Sequence, residues 1–179
     1  ISMDWIIETE RLGLRQIKRA DYEALCLILQ DPEVMYAWEH GFSDEEVKDW
    51  IEENLRRYVH DGFTYYAAIE KERNCLIGVM GPLLEVTEGE SHVGIGYILR
   101  KDVWRRGFAL EGAAACVSYI WEKLGAPVVT AQIKTDNTAS QKVAERLGMR
   151  IEKKFIKNYR GKEMPHYLYC LECNTIKPL

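Results

Sequence analysis

A strand-like segment, a short basic loop and a helix-like segment follow one another between His92 and Gly125, and this succession constrains the fold more than any other part of the sequence. The strand segment reads HVGIGYILR, and the helical segment repeats its apolar residues every three or four positions. Small residues at 113–115 would let that helix lie close to a sheet. A β-branched strand, VVTAQIK, comes next. Alternation of this kind predicts an α/β fold.

The flanking segments extend the same pattern in both directions. WIIETERLGLRQI predicts one strand, and DYEALCLILQ predicts a helix that ends at Asp31-Pro32. Ser43 and Glu46 form a capping box, which predicts that a second helix begins there. Three strands precede the helix-like segment, and a helix and two more strands follow VVTAQIK. The predicted order is β-α-α-β-β-β-α-β-α-β-β, with a mixed sheet.

Composition narrows the class of protein. The chain has 179 residues, a formal net charge of −4 and 47% hydrophobic residues. That balance predicts one globular domain over residues 1–179 and argues against a nucleic-acid or membrane-surface binder, which would be basic. Met3 is the expected natural start, so we expect Ile1 and Ser2 to be additions, and residues 173–179 to form a tail. No apolar run approaches the length that a bilayer requires.

The cysteines indicate a compartment and bear on metal binding. Five are scattered along the chain, an odd number that suits a reducing cytoplasm better than a disulfide framework. Cys170 and Cys173 form a C-x-x-C pair, but zinc would need a second pair of ligands. We therefore expect a cytoplasmic protein with partly buried thiols and no metal.

The loop before the long helix has the features of an anion site. A helix start leaves backbone N–H groups unpaired and carries partial positive charge, to which Arg105 and Arg106 add. Gly107 would let the backbone approach a ligand closely. A phosphate or pyrophosphate fits such a site. The alternative is a solvated pair of arginines beside an ordinary turn.

Two motifs carry a resemblance to a known family. The segments GIGYILRKDVWRRGFALEGAAACVSYIWEKLG and DNTASQKVAERLGMRIEKKF resemble the GCN5-related N-acetyltransferase (GNAT) superfamily, in particular the branch of the ribosomal-protein N-terminal acetyltransferases. The resemblance covers residues from about Glu10 to Glu172. It implies a single-domain, mostly antiparallel sheet of six or seven strands flanked by about four helices. It also implies acetyl-CoA as the cosubstrate.

The same resemblance implies where the cosubstrate binds. The pyrophosphate would lie on the backbone N–H groups of the loop and the helix start, namely Arg105, Arg106, Gly107, Phe108, Ala109 and Leu110. The pantetheine arm would pair with the strand edge at Ile98 and Leu99, where the strand splays from VVTAQIK. Asn137 would contact the pantetheine, although a plain helix cap is an equally good interpretation.

The chain departs from the family pattern at three positions. Trp104 stands where the family usually has Gln or Arg, and Ala144 stands where many members have a tyrosine that acts as general acid. The related branch has a serine in that helix, here Ser140, which we predict to hydrogen-bond the departing sulfur; the alternative is a helix-surface serine. Gly94 stands where the branch has a glutamate that acts as general base.

Two neighbouring residues are candidate substitutes for that glutamate. His92 shares a strand face with Gly94 and has a suitable natural pKa, although a strand-end histidine is more often simply solvated. Glu85 lies on the preceding strand. A water that relays the proton is a third possibility.

The acceptor is left open between a protein N-terminal α-amine and a small amine such as a polyamine or an antibiotic. An α-amine, with a pKa of about 7.7–8.0, tolerates a weak base better than a lysine, at about 10.4. Residues expected to select the acceptor lie in the link between the first two helices and in a late turn: Tyr36, Trp38, Glu39, His40, Phe42, Tyr159, Arg160 and Lys162. The alternatives are core packing for Tyr36 and Phe42 and an exposed turn for the last three.

Two further hypotheses remain at this point. With Gly94 and Ala144 in place of reactive residues, the domain could bind acyl-CoA without turnover. Alternatively, Gly94 and Gly96 could make room for a larger acyl group. The sequence leaves the choice between monomer and homodimer open.

Overall fold

The computed structural model describes residues 4–173, so Ile1, Ser2 and most of the expected tail lie outside it. Within that range the chain forms four α-helices and eight strands. The strands are β1 Ile7–Glu8, β2 Leu12–Gln16, β3 Tyr66–Glu70, β4 Cys75–Thr87, β5 Glu90–Leu99, β6 Val128–Lys134, β7 Arg150–Tyr159 and β8 Lys162–Glu172. The helices are α1 Tyr22–Leu29, α2 Asp44–His60, α3 Phe108–Tyr119 and α4 Thr138–Arg146.

All eight strands belong to one sheet, in the order β1-β2-β3-β4-β5-β6-β8-β7. Every neighbouring pair is antiparallel except β5 and β6, which run parallel. The predicted mixed, mostly antiparallel α/β architecture with four helices is therefore confirmed.

The strand count exceeds the predicted six or seven because the first segment is a hairpin. Thr9 closes its turn: the Thr9 N–H donates to the Leu12 carbonyl at 2.9 Å, and the Thr9 hydroxyl oxygen accepts from the Leu12 N–H at 2.9 Å. The chain folds back there, and Ile7 pairs with Leu14. Residues 8–11 are polar, but none of them is the glycine, proline or asparagine that usually signals a turn, so the sequence interpretation missed it.

Helix α2 begins where its capping box predicts. The Ser43 hydroxyl accepts from the Glu46 N–H at 3.2 Å, and the Glu46 carboxylate accepts from the Ser43 N–H at 3.1 Å. Val47 and Ile51 then bury their side chains against the sheet. Helices α1 and α2 thus cover one face of the sheet, where they pack against residues such as Ile98 of β5.

Helix α3 covers the other face and approaches it through a glycine. A Cβ at Gly112 would overlap the end of the Met80 side chain of β4, so the glycine leaves room for that side chain between helix and sheet. Of the small residues expected to serve this purpose, Ala113 is buried and Ala114 is exposed. The helix therefore turns Gly112 and Ala113 to the sheet. No helix within residues 4–173 is long and apolar enough to cross a bilayer.

Candidate active site

A gap opens in the middle of the sheet between β5 and β6. Gly94 and Thr130 form the one register pair that joins these strands in the described part of the chain. Beyond that pair the strands diverge, while β6 continues in register with β8 as far as Lys134. The expected splay is present, and it leaves one edge of β5 without a partner strand.

The register of β5 shows which backbone groups face this gap. The Arg100 N–H donates to the Ile77 carbonyl of β4 at 2.8 Å, and Ile98, two residues earlier, pairs with Val79 of the same strand. Backbone groups point alternately to either side of a strand, so those of Tyr97 and Leu99 face the gap. Of the two residues predicted to bind pantetheine, Leu99 faces the gap and Ile98 faces β4.

The loop before α3 has the expected unpaired donors. Gly107 caps the helix with φ of 82°, and Arg105 also has a positive φ, of 65°. The first helical hydrogen bond runs from the Glu111 N–H to the Gly107 carbonyl at 3.1 Å. Within residues 4–173, the N–H groups from Arg105 to Leu110 have no acceptor. Such a row of donors at a helix start is suited to an anion.

A third arginine, which the sequence analysis missed, stands at this helix start. The Arg11 guanidinium lies 4.1 Å from the centre of the Phe108 ring, and that of Arg106 lies at 5.1 Å. Glu111 holds Arg11 there by a 2.7 Å ion pair. Because the Phe108 side chain is buried, this residue can offer a ligand only its backbone. No local pattern reveals Arg11, which is about 100 positions from its partners in the chain.

A tyrosine and a serine meet beside the gap. The Tyr97 hydroxyl donates to the Ser140 hydroxyl oxygen at 3.1 Å, and burial raises the pKa of Tyr97, which keeps its proton in place. Asn137 caps α4 by accepting from the Ser140 N–H at 3.1 Å. Ala144, one turn further on, is buried in the core. The Tyr97 side chain of β5 therefore brings a phenol to α4, although Ala144 of that helix has no hydroxyl group.

Glu85 lies against Gly94 on the other face of the sheet. Its Oε1 atom is buried, lacks a hydrogen-bond partner among the described residues, and occupies space that a Cβ at Gly94 would need. Burial raises the pKa of Glu85 to about 7, although the positive charges of Lys157 and Arg57 act in the opposite direction. A carboxyl with this pKa can exchange a proton near neutral pH.

His92, the other candidate base, is engaged elsewhere. Its two ring nitrogens contact the hydroxyl oxygens of Thr87 and Thr130 at 2.7 and 2.6 Å. Burial lowers the pKa of His92. The ring is not part of the cavity wall described next.

A cavity passes through the gap and joins the two faces of the sheet. Tyr97, Asn137 and Ser140 line it on the face covered by α3 and α4. Glu85 and Tyr65 line it on the face covered by α1 and α2. The arrangement has a proton acceptor on one side of the gap and hydroxyl donors on the other, which suits a reaction at a group held between them.

Comparisons with known proteins agree with this geometry. The family model described as an acetyltransferase (GNAT) domain matches residues 11–150. The chain belongs to the GNAT acetyltransferase family. It is 31% identical over 149 residues to the uncharacterized N-acetyltransferase YoaA of Bacillus subtilis, which covers 82% of this chain and 84% of that protein. The predicted membership and N-acetyltransferase activity are confirmed.

Solved structures give the same fold. A GNAT-family acetyltransferase from Bacillus anthracis superposes with a TM-score of 0.79 at 25% identity, over 93% of this chain and 97% of that one. RimL, a ribosomal L7/L12 α-N-protein acetyltransferase solved with coenzyme A, has a TM-score of 0.73 at 19% identity, over 92% and 95% of the two chains. At that identity the RimL likeness supports the fold alone.

In this GNAT acetyltransferase, ion pairs surround the cavity mouth on the α1 and α2 side. Lys162 binds Glu39 at 2.6 Å, and Lys134 lies 3.5 Å from the same carboxylate. His40 contacts Glu46 at 3.0 Å and the Arg160 guanidinium at 2.7 Å. The link from 36 to 42 and the turn from 159 to 162 are thereby tied together.

These contacts decide which of the predicted acceptor residues face the cavity. Trp38 and Tyr159 line its wall. Phe42 packs into the core beside α1 and α2, and Tyr36 is exposed. Glu39 is shared by two lysines and is not free to receive a cationic amine. Glu85 is therefore the carboxyl on the cavity wall that has no cation bound to it within the described chain.

Trp104 connects the loop before α3 to strand β5 in this GNAT acetyltransferase. The Trp104 indole N–H donates to the Leu99 carbonyl at 3.0 Å. That carbonyl belongs to the strand edge that faces the gap. The indole thus fixes the start of the loop before α3 to the end of β5. The second lone pair of the Leu99 oxygen stays available to accept another hydrogen bond.

Proposed function

We propose that this protein, acting as one N-acetyltransferase domain, transfers the acetyl group of acetyl-CoA to an α-amino group. The observation that carries the proposal is the cavity through the sheet, with Glu85 at one end and the Tyr97–Ser140 pair at the other. A base and an acid on opposite sides of a gap suit an amine that enters from one face and a thiolate that departs toward the other.

The residues at the helix start fit the diphosphate of the cosubstrate. The N–H groups from Arg105 to Leu110 would bind its oxygens, and Arg11 and Arg106 would add positive charge. Tyr97 and Leu99 would pair with the amide groups of the pantetheine arm, in place of the predicted Ile98. The Asn137 amide nitrogen would donate to the same arm, since its oxygen already caps α4. When bound, acetyl-CoA supplies the reactive thioester.

Glu85 would take a proton from the amine. Its pKa of about 7 lies close to that of an α-amine, at about 7.7–8.0, and far from that of a lysine, at about 10.4. A proton therefore passes from an α-amine to Glu85 with little free-energy cost. This match favours an α-amine over a lysine side chain as the acceptor.

Ser140 would donate a hydrogen bond to the departing sulfur, and this bond would stabilise the charge of the thiolate. The Tyr97 hydroxyl donates to the Ser140 oxygen, so it would orient Ser140 and strengthen that bond while keeping its own proton. His92 would have no part in this step or in the proton transfer to Glu85, because both of its nitrogens are bound to threonines.

Release of free thiol from acetyl-CoA in the presence of an amine panel tests the proposal. The panel holds short peptides with free N-termini, the same peptides blocked at the N-terminus, a lysine side-chain amine, spermidine and an aminoglycoside. We expect amine-dependent release with free α-amines. Tight acetyl-CoA binding without release, or equal release with blocked peptides, would overturn it. The Glu122→Gln variant, altered at an exposed carboxylate remote from the cavity, is the control for Glu85→Gln.

A further inference from the structure

We infer that the acceptor carries a carboxylate close to its reacting amine and that Lys157 binds this carboxylate. The inference rests on the proposed function, because it places the amine at Glu85. It goes further by naming the chemical class of the acceptor, an amino acid or an N-terminal segment with an acidic group near the α-amine.

Lys157 has a free charge at the cavity mouth. It lies on β7 and lines the cavity beside Glu85. Its ammonium donates to the Gln132 side-chain oxygen at 3.1 Å, and no carboxylate lies within ion-pair distance of it in residues 4–173. Gln132 is neutral and is itself fixed by donating to the Thr87 hydroxyl at 2.8 Å. The lysine is therefore oriented but not neutralised.

The positive charge of Lys157 acts on two other groups of the cavity wall. It lowers the pKa of Glu85 on β4, which burial raises. It also lowers the pKa of His166 on β8, which burial lowers as well. These side chains reach the cavity from two different strands. Lys157 therefore lies near both groups, on the wall of the cavity in which the acceptor would sit.

Most other charged groups at the mouth are paired with one another. Lys134 and Lys162 bind Glu39, and Arg160 lies 3.8 Å from Glu46. The negative charge of Asp136 acts on His166. Lys157 therefore differs from these lysines in having no carboxylate bound to it within the described residues, so it would attract a carboxylate of the acceptor and repel a polyamine.

Matched acceptors that differ in one charge test the inference. The tripeptides Ser-Glu-Ala and Ser-Gln-Ala form one pair, and a free amino acid with its amide forms the second, so the two arms separate peptide from amino-acid acceptors. In at least one arm we expect kcat/KM to favour the acidic member by about tenfold, the effect of one charge-assisted hydrogen bond. Lys157→Met should remove that preference. Lys154→Met, an exposed lysine of the same strand, should keep it.

Three results would overturn the inference. One is equal use of acidic and neutral members in both arms, another is a preference that survives Lys157→Met, and the third is spermidine as the best acceptor. Transfer to neutral α-amines would persist in the first two cases, so the proposed function would stand while this inference failed. Absence of transfer to any amine would overturn both. Because each comparison is a ratio within one variant, the effect of Lys157 on Glu85 cancels.

Discussion

The carboxyl group of Glu85 on β4 fills the space that a side chain at Gly94 on β5 would occupy. The resemblance implied a glutamate at position 94, and a glutamate from the adjacent strand brings its carboxyl to that place. The two positions are therefore coupled: the glycine makes room for the carboxyl.

Replacing Glu85 with glutamine should lower kcat about 10²-fold, because the amide cannot accept the proton. The wild-type kcat/KM should fall below a pH of about 7, where Glu85 becomes protonated. In Glu85→Gln the acidic limb should move up to the pKa of the acceptor α-amine, about 7.7–8.0, because only the neutral amine then reacts. Profiles of kcat/KM against pH from 5.5 to 9 measure both effects, with Glu122→Gln as the control. An unchanged limb in Glu85→Gln would assign the titration to another group.

The same substitution should stabilise the fold at alkaline pH. Folding raises the pKa of Glu85 from 4.5 to about 7, so its contribution to stability is complete below pH 4.5 and is lost as the pH rises through 7. Above that, the buried charge costs about 3 kcal/mol, which glutamine avoids. Urea unfolding at pH 5 and pH 8 should show Glu85→Gln gaining on the wild type only at pH 8. An equal difference at both pH values would contradict the assigned burial of charge.

Gly94→Ala should damage both activity and stability. Its Cβ would overlap Glu85 Oε1, and it would lie 2.9 Å from the Thr130 hydroxyl oxygen and 3.0 Å from the Thr130 carbonyl oxygen. We expect a loss of about 1–3 kcal/mol in the free energy of unfolding, typical of overpacking. The loss should be smaller when Gly94→Ala is made in Glu85→Ala, since one overlap is then gone. Additive losses would show that the two residues do not share this space.

Tyr97 and Ser140 should behave as one unit. We expect Ser140→Ala to lower kcat about 10²-fold, Tyr97→Phe to lower it less, and the double variant to match Ser140→Ala, because Tyr97 acts through Ser140. Ser118→Ala, on the exposed face of α3, is the matched control. Steady-state kinetics with a fixed α-amine acceptor measure all four. Losses that multiply in the double variant would mean independent roles.

Gly107→Glu should abolish measurable acetyl-CoA binding. The new carboxylate would lie at the helix start and repel the diphosphate, weakening binding by at least about 10²-fold. Gly125→Glu is a close control, because Gly125 also has a positive φ, 67° against 82°, and has open space around it. Calorimetric titration of both folded variants makes the comparison. Equal affinities would remove the diphosphate from this helix start.

Features set by neighbouring residues could be predicted from the sequence. The capping box at Ser43 and Glu46, the helix cap at Asn137 and the turn at Gly107 depend on contacts within four positions, and each is present. The resemblance added the splay between β5 and β6, which no local pattern of either strand reveals.

Features set by contacts between distant segments could not be predicted. Which backbone groups of β5 face the gap depends on its register with β4. This register turns those of Leu99 toward the gap and those of Ile98 toward β4. Arg11 meets Phe108, and Tyr97 meets Ser140, only after the sheet has formed. The hydrogen bonds of His92 to Thr87 and Thr130, and the position of the Glu85 carboxyl at Gly94, likewise depend on how β4, β5 and β6 pair.

The single pair that joins β5 to β6 has a mechanical consequence. Strands β1 to β5 and strands β6 to β8 form two groups, and besides this backbone pair they are joined by side-chain hydrogen bonds such as Gln132 to Thr87 and His92 to Thr130. An extended ligand that bonds to the open edge of β5 would connect the two groups further. Binding of the cosubstrate should therefore slow amide exchange in both groups of strands and raise the melting temperature, and release of product should reverse both effects.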